Sequence, residues 1–268
     1  MKYAERLQRQ FSSITLHPED LFLLEPFQIL YLPDRAPQKE FAALLRAWPS
    51  VQRFLISKQP SIKDFITGIL SENKAIADDT LISKYCHNLL WEIADLIIYN
   101  KYPEIYDENV SMNWEIREII PPELLAGKTV ADVGAGSGKL SFLLAQYADT
   151  VYAVEPIGSF RNFIRDKARE QKLTNIFVID GFLDAIPLPA HSLDVLLTSN
   201  AIGWNLEKEL HEIERVVKPG GQVIHLLRSM DSIADNPFHG TLTSSKWDYK
   251  CSDMKDSSGL RLKYIKTI

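Results

Sequence analysis

The chain has little cysteine, no long apolar run and no excess of basic charge, and each shortage removes a class of protein. Its 268 residues hold two cysteines, Cys86 and Cys251, far apart in sequence. Two isolated thiols make neither a disulfide framework nor a zinc spacing, and a reducing cytoplasm is their simplest setting. The six histidines form no ligand pairs, so no metal is expected. The most apolar early stretch, Leu21 to Leu32, is broken by Glu25 and Pro26 and is too short to span a bilayer. The opening Met1-Lys2-Tyr3-Ala4-Glu5-Arg6 has no apolar signal region behind it. Neither a membrane partner nor a leader is therefore expected. A formal net charge of −5 disfavours a generic nucleic-acid binder. No repeat or low-complexity tract is visible.

What remains is an ordinary globular composition, 46 % hydrophobic and 24 % charged, on a chain long enough for a full α/β sheet and a smaller domain. The first hundred residues read as helices. Gln38 to Ile56 carries Phe41, Leu44, Leu45, Trp48, Val51, Phe54 and Leu55 at helical spacing, with Pro49 kinking or dividing it. Ser61-Ile62-Lys63-Asp64 opens a short helix. Asp79 to Tyr99 reads as one long helix, with a stripe of Leu81, Ile82, Tyr85, Leu89, Ile93, Leu96 and Ile97, and Asp78, Asp79 or Thr80 as its cap.

From Thr129 the pattern changes. Short β-rich runs alternate with helical ones, the signature of a doubly wound parallel sheet. Strands are expected at Thr129–Val133, Thr150–Val154, Asn175–Ile179, Leu193–Thr198 and Gln222–Leu227. Helices are expected at Gly138–Tyr147, Ser159–Gln171 and Leu206–Val217. Near the end, Trp247–Cys251 and Leu260–Ile265 are separated by too few residues for a crossover helix, so they should pair as an antiparallel hairpin.

Four segments carry chemistry. In Val130-Ala131-Asp132-Val133-Gly134-Ala135-Gly136-Ser137-Gly138, a buried strand runs into a glycine-rich turn and then a helix. Glycines are needed where backbone turns tightly and approaches a ligand. The spacing is G-x-G-x-G; the dinucleotide fingerprint would need glycine where Lys139 stands, and no Walker A loop is present. Asp132 beside the loop suits a cationic ligand end and not a diphosphate. Glu155, followed by Pro156, ends the second strand 23 residues after Asp132, where a carboxylate can accept both hydroxyls of a ribose; position alone fits NAD equally well. The third segment runs from Asp180-Gly181-Phe182-Leu183-Asp184 through Ile186-Pro187-Leu188-Pro189 to Ser192-Leu193-Asp194. The fourth is Glu212-Ile213-Glu214-Arg215-Val216-Val217-Lys218-Pro219-Gly220-Gly221.

In this order and spacing the four segments resemble the class I S-adenosylmethionine-dependent methyltransferases of the small-molecule, type 11-like branch. The resemblance covers roughly Pro121 to Leu227. It implies a Rossmann-like, doubly wound seven-stranded sheet with a C-terminal antiparallel hairpin over residues 111–268, and S-adenosyl-L-methionine as cofactor. It places the methionine end on Asp132, Gly134, Ala135 and Gly136, the ribose on Glu155 and Pro156, and the adenine on Gly181, Phe182 and Leu183. Ser199 and Asn200, after the fourth strand, complete the cofactor set. One departure stands out: many relatives carry aspartate where Phe182 stands. The adenine amino group is then held differently, with Phe182 packing on the ring and Asp180 or Asp184 as acceptor.

Residues 1–110 are expected to form a helical lid domain over the ligand edge of the sheet. The acceptor is expected to be a small molecule, touched by Trp204 after the fourth strand and by Tyr106 and Trp114 in the linking stretch. No catalytic base is assigned; one is needed only for an acidic nucleophile such as a hydroxyl. The rivals are a protein or RNA methyltransferase, a non-catalytic subunit that keeps the cofactor fold, and an NAD-type oxidoreductase, which the glycine spacing disfavours. Asp194 and the Pro219-Gly220-Gly221 turn are read as structural, His225 as a core or edge residue, and Arg161, Arg165 and Arg169 as a solvated row. Asn236-Pro237-Phe238 superficially resembles an amino-methyltransferase motif but follows the fifth strand, and is set aside.

Overall fold

A computed structural model describes residues 3–228, 232–256 and 259–268. The first two residues of the N-terminal reading, and residues 257 and 258 between the expected hairpin strands, lie outside that range. The chain divides into two compact units, Met1–Val110 and Ser111–Ile268.

The first unit is helical: α1 (Tyr3–Gln10), α2 (Gln38–Ala47), α3 (Pro49–Lys58), α4 (Lys63–Glu72), α5 (Asp79–Glu92), α6 (Ala94–Lys101) and α7 (Pro103–Asn109), with shorter turns between. Pro49 divides α2 from α3 and sits at the first position of the second helix, where its missing N–H costs nothing. Asp78 caps α5 by accepting from Thr80 N and Leu81 N. The apolar stripes meet in one core of Leu21, Leu24, Ile29, Phe41, Leu44, Leu55 and Leu89.

The single helix expected over Asp79–Tyr99 is broken at Ile93, and a distant arginine explains it. In a continuous helix the Glu92 carbonyl would receive the Leu96 N–H. Instead it receives Arg35 Nη2 at 3.3 Å, and Leu96 N turns to the Ile93 carbonyl at 3.1 Å. The same guanidinium grips Asp95 with two bonds of 2.6 and 2.8 Å, a bidentate, charge-assisted pairing strong enough to hold the break.

The second unit is built on one seven-stranded sheet: β1 (Thr129–Val133), β2 (Thr150–Val154), β3 (Ile176–Ile179), β4 (Leu193–Ser199), β5 (Val217–Arg228), β6 (Lys250–Asp256) and β7 (Gly259–Thr267). The spatial order is β3-β2-β1-β4-β5-β7-β6, with the first five strands parallel and β7 antiparallel to both neighbours. This is the expected Rossmann-like sheet with a terminal hairpin. α8 (Lys139–Leu144) and α9 (Gly158–Glu170) bury Leu140, Leu144 and Ile164 on one side, against the face that carries Val130, Val151 and Ala153. α10 (Leu206–Val216) packs Leu210, Ile213 and Val216 on the face of Ala131, Val133, Leu196 and Val223. Buried on both sides, the parallel strands need near-continuous apolar runs, which is how they read.

Strands β3 to β7 all differ from the expected limits by one or more residues, and two of the shifts have a visible local cause. β5 extends back through Pro219-Gly220-Gly221, because Gly220 N and Gly221 O pair with the backbone of Ile268 at 2.7 and 2.9 Å. β6 starts at Lys250 and not at Trp247. Asp248 takes a φ of +52°, and Asp248 N and Tyr249 N bond back to Ser244 and Leu242. Trp247 and Tyr249 are therefore core residues of a turn, both buried.

Candidate cofactor-binding site

The carboxyl ends of β1, β2 and β4 bring the motif residues together. At the end of β1, Asp132 is buried, and its Oδ2 accepts the Ser141 hydroxyl of α8 at 2.7 Å. Its Oδ1 is buried and has no partner among the described residues. Burial pushes its carboxyl up to about 6, against the Ser141 hydrogen bonds. A buried carboxylate oxygen left bare is costly, and a cationic donor from outside the chain fits it.

The chain then turns through Gly134, Gly136 and Gly138 at φ +75°, +55° and +84°, conformations that cost a side-chain-bearing residue about 1–2 kcal/mol each. Two of the three are also crowded. A Cβ at Gly134 would collide with the Cβ of Ala201, and one at Gly138 would meet Ile164 Cγ1 at 2.9 Å. A Cβ at Gly136 would meet nothing within 4 Å, so there the turn leaves bare backbone facing open space. Gly134 N and Ala135 N both donate to the Val154 carbonyl, at 2.9 and 3.1 Å, which stitches the loop to the end of β2.

Glu155 follows at that end and is buried. Its Oε2 accepts Gly136 N at 2.8 Å and its Oε1 accepts Ile157 N at 2.9 Å. Burial drives its carboxyl up to about 7, only partly offset by those two N–H donors, with Asp132 adding repulsion. Pro156 is half-buried beside it. Arg161 of α9 donates to the Glu155 carbonyl at 2.9 Å and to Asp180 Oδ1 at 3.0 Å, which ties the ends of β2 and β3 together. Its side chain is only 17 % exposed. Arg165 likewise reaches the Val178 carbonyl at 3.0 Å. The solvated arginine row expected on α9 holds only for Arg169, which pairs with Asp166.

In the loop after β3, Gly181 has no room for a Cβ, which would meet Pro187 Cδ at 2.6 Å and Val154 Cγ1 at 2.9 Å. Phe182 is exposed and forms an isolated bridge with Ala185. Leu183 is buried in the apolar layer of α10. Each of the expected carboxylate acceptors makes an ion pair: Asp180 with Arg161 and Asp184 with Lys208 at 3.2 Å.

Ser199, the last residue of β4, is half-buried, and Asn200 after it is exposed at a φ of +54°. Asn200 Oδ1 accepts Arg228 N at 2.9 Å, and its own N–H goes to the Leu226 carbonyl. The next turn is held by a residue the sequence reading did not single out. Glu209 is buried and accepts Gly203 N, Trp204 N and Asn205 N at 2.7, 2.8 and 2.9 Å. Trp204 is thereby presented 68 % exposed on a fixed backbone. Gly203, at φ +114°, lies against the Phe238 ring, where a Cβ would overlap it.

The other residues singled out from the sequence have the following surroundings. Tyr106 belongs to the helical unit, stacked on Phe11 and edge-on to Tyr99 at 5.1 Å. Trp114 is buried among Ile119, Ile120 and Leu125, with the Arg261 guanidinium 4.7 Å above its ring. His225 is wholly buried, bonded to Thr198 Oγ1 at 2.8 Å, and burial lowers its imidazole to about 3, so it stays neutral. Asn236 spends its amide on Phe238 N and the Tyr264 hydroxyl. Asp194 accepts Thr129 N and pairs with Lys128 and Lys218, a structural role. Among the described residues no group of three His, Cys, Asp or Glu is placed to hold a metal ion, and no helix is long and apolar enough to cross a membrane.

Residues 131–225 match the family model described as a methyltransferase domain. An uncharacterized methyltransferase of Mycobacterium tuberculosis is 32 % identical over 114 residues, covering 40 % of this chain and 45 % of the relative. The malonyl-[acyl-carrier protein] O-methyltransferase of Yersinia pestis is 27 % identical over 130 residues, covering 47 % of each. The chain thus spans about half the length of these curated relatives. Among solved structures, a SAM-dependent methyltransferase from Aquifex aeolicus is 18 % identical, with a TM-score of 0.45, covering 63 % of this chain and 91 % of that one. The glycine loop and the two buried acids beside it, Asp132 and Glu155, fall inside the stretch, residues 131–225, that is similar to a methyltransferase domain.

Proposed function

We propose that the protein transfers the methyl group of S-adenosylmethionine to a small-molecule acceptor. When bound, the cofactor supplies an electrophilic methyl on a sulfonium. Asp132 and the backbone of Gly134, Ala135 and Gly136 hold its amino-acid end. Glu155 accepts the ribose hydroxyls, with Pro156 beside the sugar. Gly181, Phe182 and Leu183 form the adenine end, and Ser199 and Asn200 line the rim at the end of β4. The observation that carries this reading is the bare, buried Oδ1 of Asp132 beside a loop that only glycine can follow.

Since the sulfonium is already a good leaving centre, the protein's task is to position the two reactants and exclude water. An exposed indole on a rigid turn suits that task, because ordering it costs little entropy. Trp204, fixed by Glu209, is the acceptor-facing residue we favour. Its flat apolar face suits a small organic acceptor better than a polyanion, as does the net charge of −5.

The test is calorimetry of the folded protein with S-adenosylhomocysteine, followed by Trp204→Ala. Binding in the micromolar range is expected, unchanged within about threefold by the variant. No heat of binding on folded protein overturns the assignment, and a large loss in Trp204→Ala would move that residue from the acceptor to the cofactor.

A further inference from the structure

We infer that Arg165 closes the free edge of the sheet at β3 against strand addition by a second copy of this chain. Among the described residues β3 is an edge strand, paired with β2 alone. The register shows which of its backbone groups are used. Val151 N donates to the Asn175 carbonyl and Glu155 N to the Ile179 carbonyl, with Tyr152 opposite Phe177 and Ala153 opposite Val178. Alternate residues of a strand turn their N–H and C=O to opposite sides, one to the neighbour and one to the open edge. The backbone groups of Phe177 and Ile179 therefore face β2, and those of Ile176 and Val178 face outward.

The strand itself does nothing to discourage pairing. Its sequence, Ile-Phe-Val-Ile, is uncharged and made of strong strand formers. Phe177 is 48 % exposed, with the Tyr152 ring 5.8 Å away on the same face. Such an edge is a template for an identical strand, and two copies can pair there about a two-fold axis with no charge on either strand to oppose them. The opposition comes from α9. Arg165 Nη2 donates to the outward Val178 carbonyl at 3.0 Å, and Nη1 donates to Asn162 Oδ1 at 3.3 Å. The guanidinium is thus held on the acceptor that an incoming strand needs.

A neighbouring strand lies about 4.8 Å away in the hydrogen-bonding direction, which is the space this group takes. Admitting the strand would break a charge-assisted bond and leave a cation to be moved aside or buried against the new ladder. A bond that merely fastened α9 to the sheet would have no bearing on association, and that difference can be measured.

The experiment is sedimentation of the full chain and its variants over one series of concentrations. Arg165→Met keeps most of the side chain's length and removes its charge and its donors. It should self-associate about tenfold or more tightly than wild type. Adding Ile176→Pro should return the protein to wild-type behaviour. Ile176 is the first residue of β3 and its N–H faces outward, so proline there removes no bond to β2 but bars a further strand. An Arg165→Met protein that associates no more than wild type overturns the inference. So does association that Ile176→Pro leaves in place, because it would come from exposed core and not from the edge. Hydrogen exchange on the wild-type protein covers the case of a variant that does not fold. The amides of Ile176 and Val178 should exchange about tenfold or more faster than those of Phe177 and Ile179; equal protection would mean that the edge is already occupied and would also overturn the inference.

Discussion

Replacing Glu155 by glutamine tests whether a charge at the end of β2 binds the ribose. Alanine is the poorer choice, since the carboxylate also accepts Gly136 N and Ile157 N, and both would be orphaned. Glutamine keeps the shape and one acceptor oxygen. It loses at least one charge-assisted bond, worth roughly 1.5–3 kcal/mol, so the Kd for S-adenosylhomocysteine at pH 8 should rise about tenfold or more. The pH dependence is a second, independent readout. Burial raises the free carboxyl to about 7, so it is largely ionised at pH 8 and largely neutral at pH 6. Wild-type affinity should therefore fall about tenfold as pH drops from 8 to 6, while the glutamine variant shows no such fall from this residue. The stability of the ligand-free protein should move the opposite way. A folded-state value raised above the usual 4.5 contributes stability that is present at low pH and lost as pH rises through about 7. Asp132, raised to about 6, acts in the same direction. Melting curves of the free wild-type protein should thus shift upward between pH 8 and pH 6, and less so in Glu155→Gln. Calorimetry at pH 6, 7 and 8 with parallel thermal scans measures all of this. A variant affinity within twofold of wild type at pH 8, or a wild-type affinity independent of pH, would refute the assignment.

Two further substitutions probe the scaffold of the site. Gly134→Ala meets both a positive φ and the Cβ of Ala201; S-adenosylhomocysteine binding should fall more than tenfold, and adding Ala201→Gly should recover part of it by removing the collision but not the strain. Full recovery in the double variant would mean that φ at Gly134 is immaterial. Glu209→Ala orphans three backbone N–H groups of the Trp204 turn, each worth about 1–3 kcal/mol where buried; melting should drop by several degrees, and the turn after β4 should lose amide protection in hydrogen exchange. An unchanged exchange rate at Gly203, Trp204 and Asn205 would show that this carboxylate does not hold the turn.

The sheet and the outline of the site were legible in the chain because both are written locally. Apolar runs of strand length between helical stripes dictate a parallel sheet covered on both faces, and β1 and β2 begin and end where the pattern places them. The glycines at 134, 136 and 138 mark positive φ, and an acid at each of two strand ends marks what lies beside them. Other features came only with tertiary structure. Arg35 breaks a helix 57 residues away by taking the Glu92 carbonyl. Arg161 leaves its expected solvated row to join β2 to β3. Glu209 fixes the turn that displays Trp204, and Arg261 lies over the buried ring of Trp114. Each of these depends on where a long polar side chain reaches once remote elements have packed. Hydrophobic period and turn chemistry act over a few neighbours and carry no record of that reach, so only the folded chain could decide it.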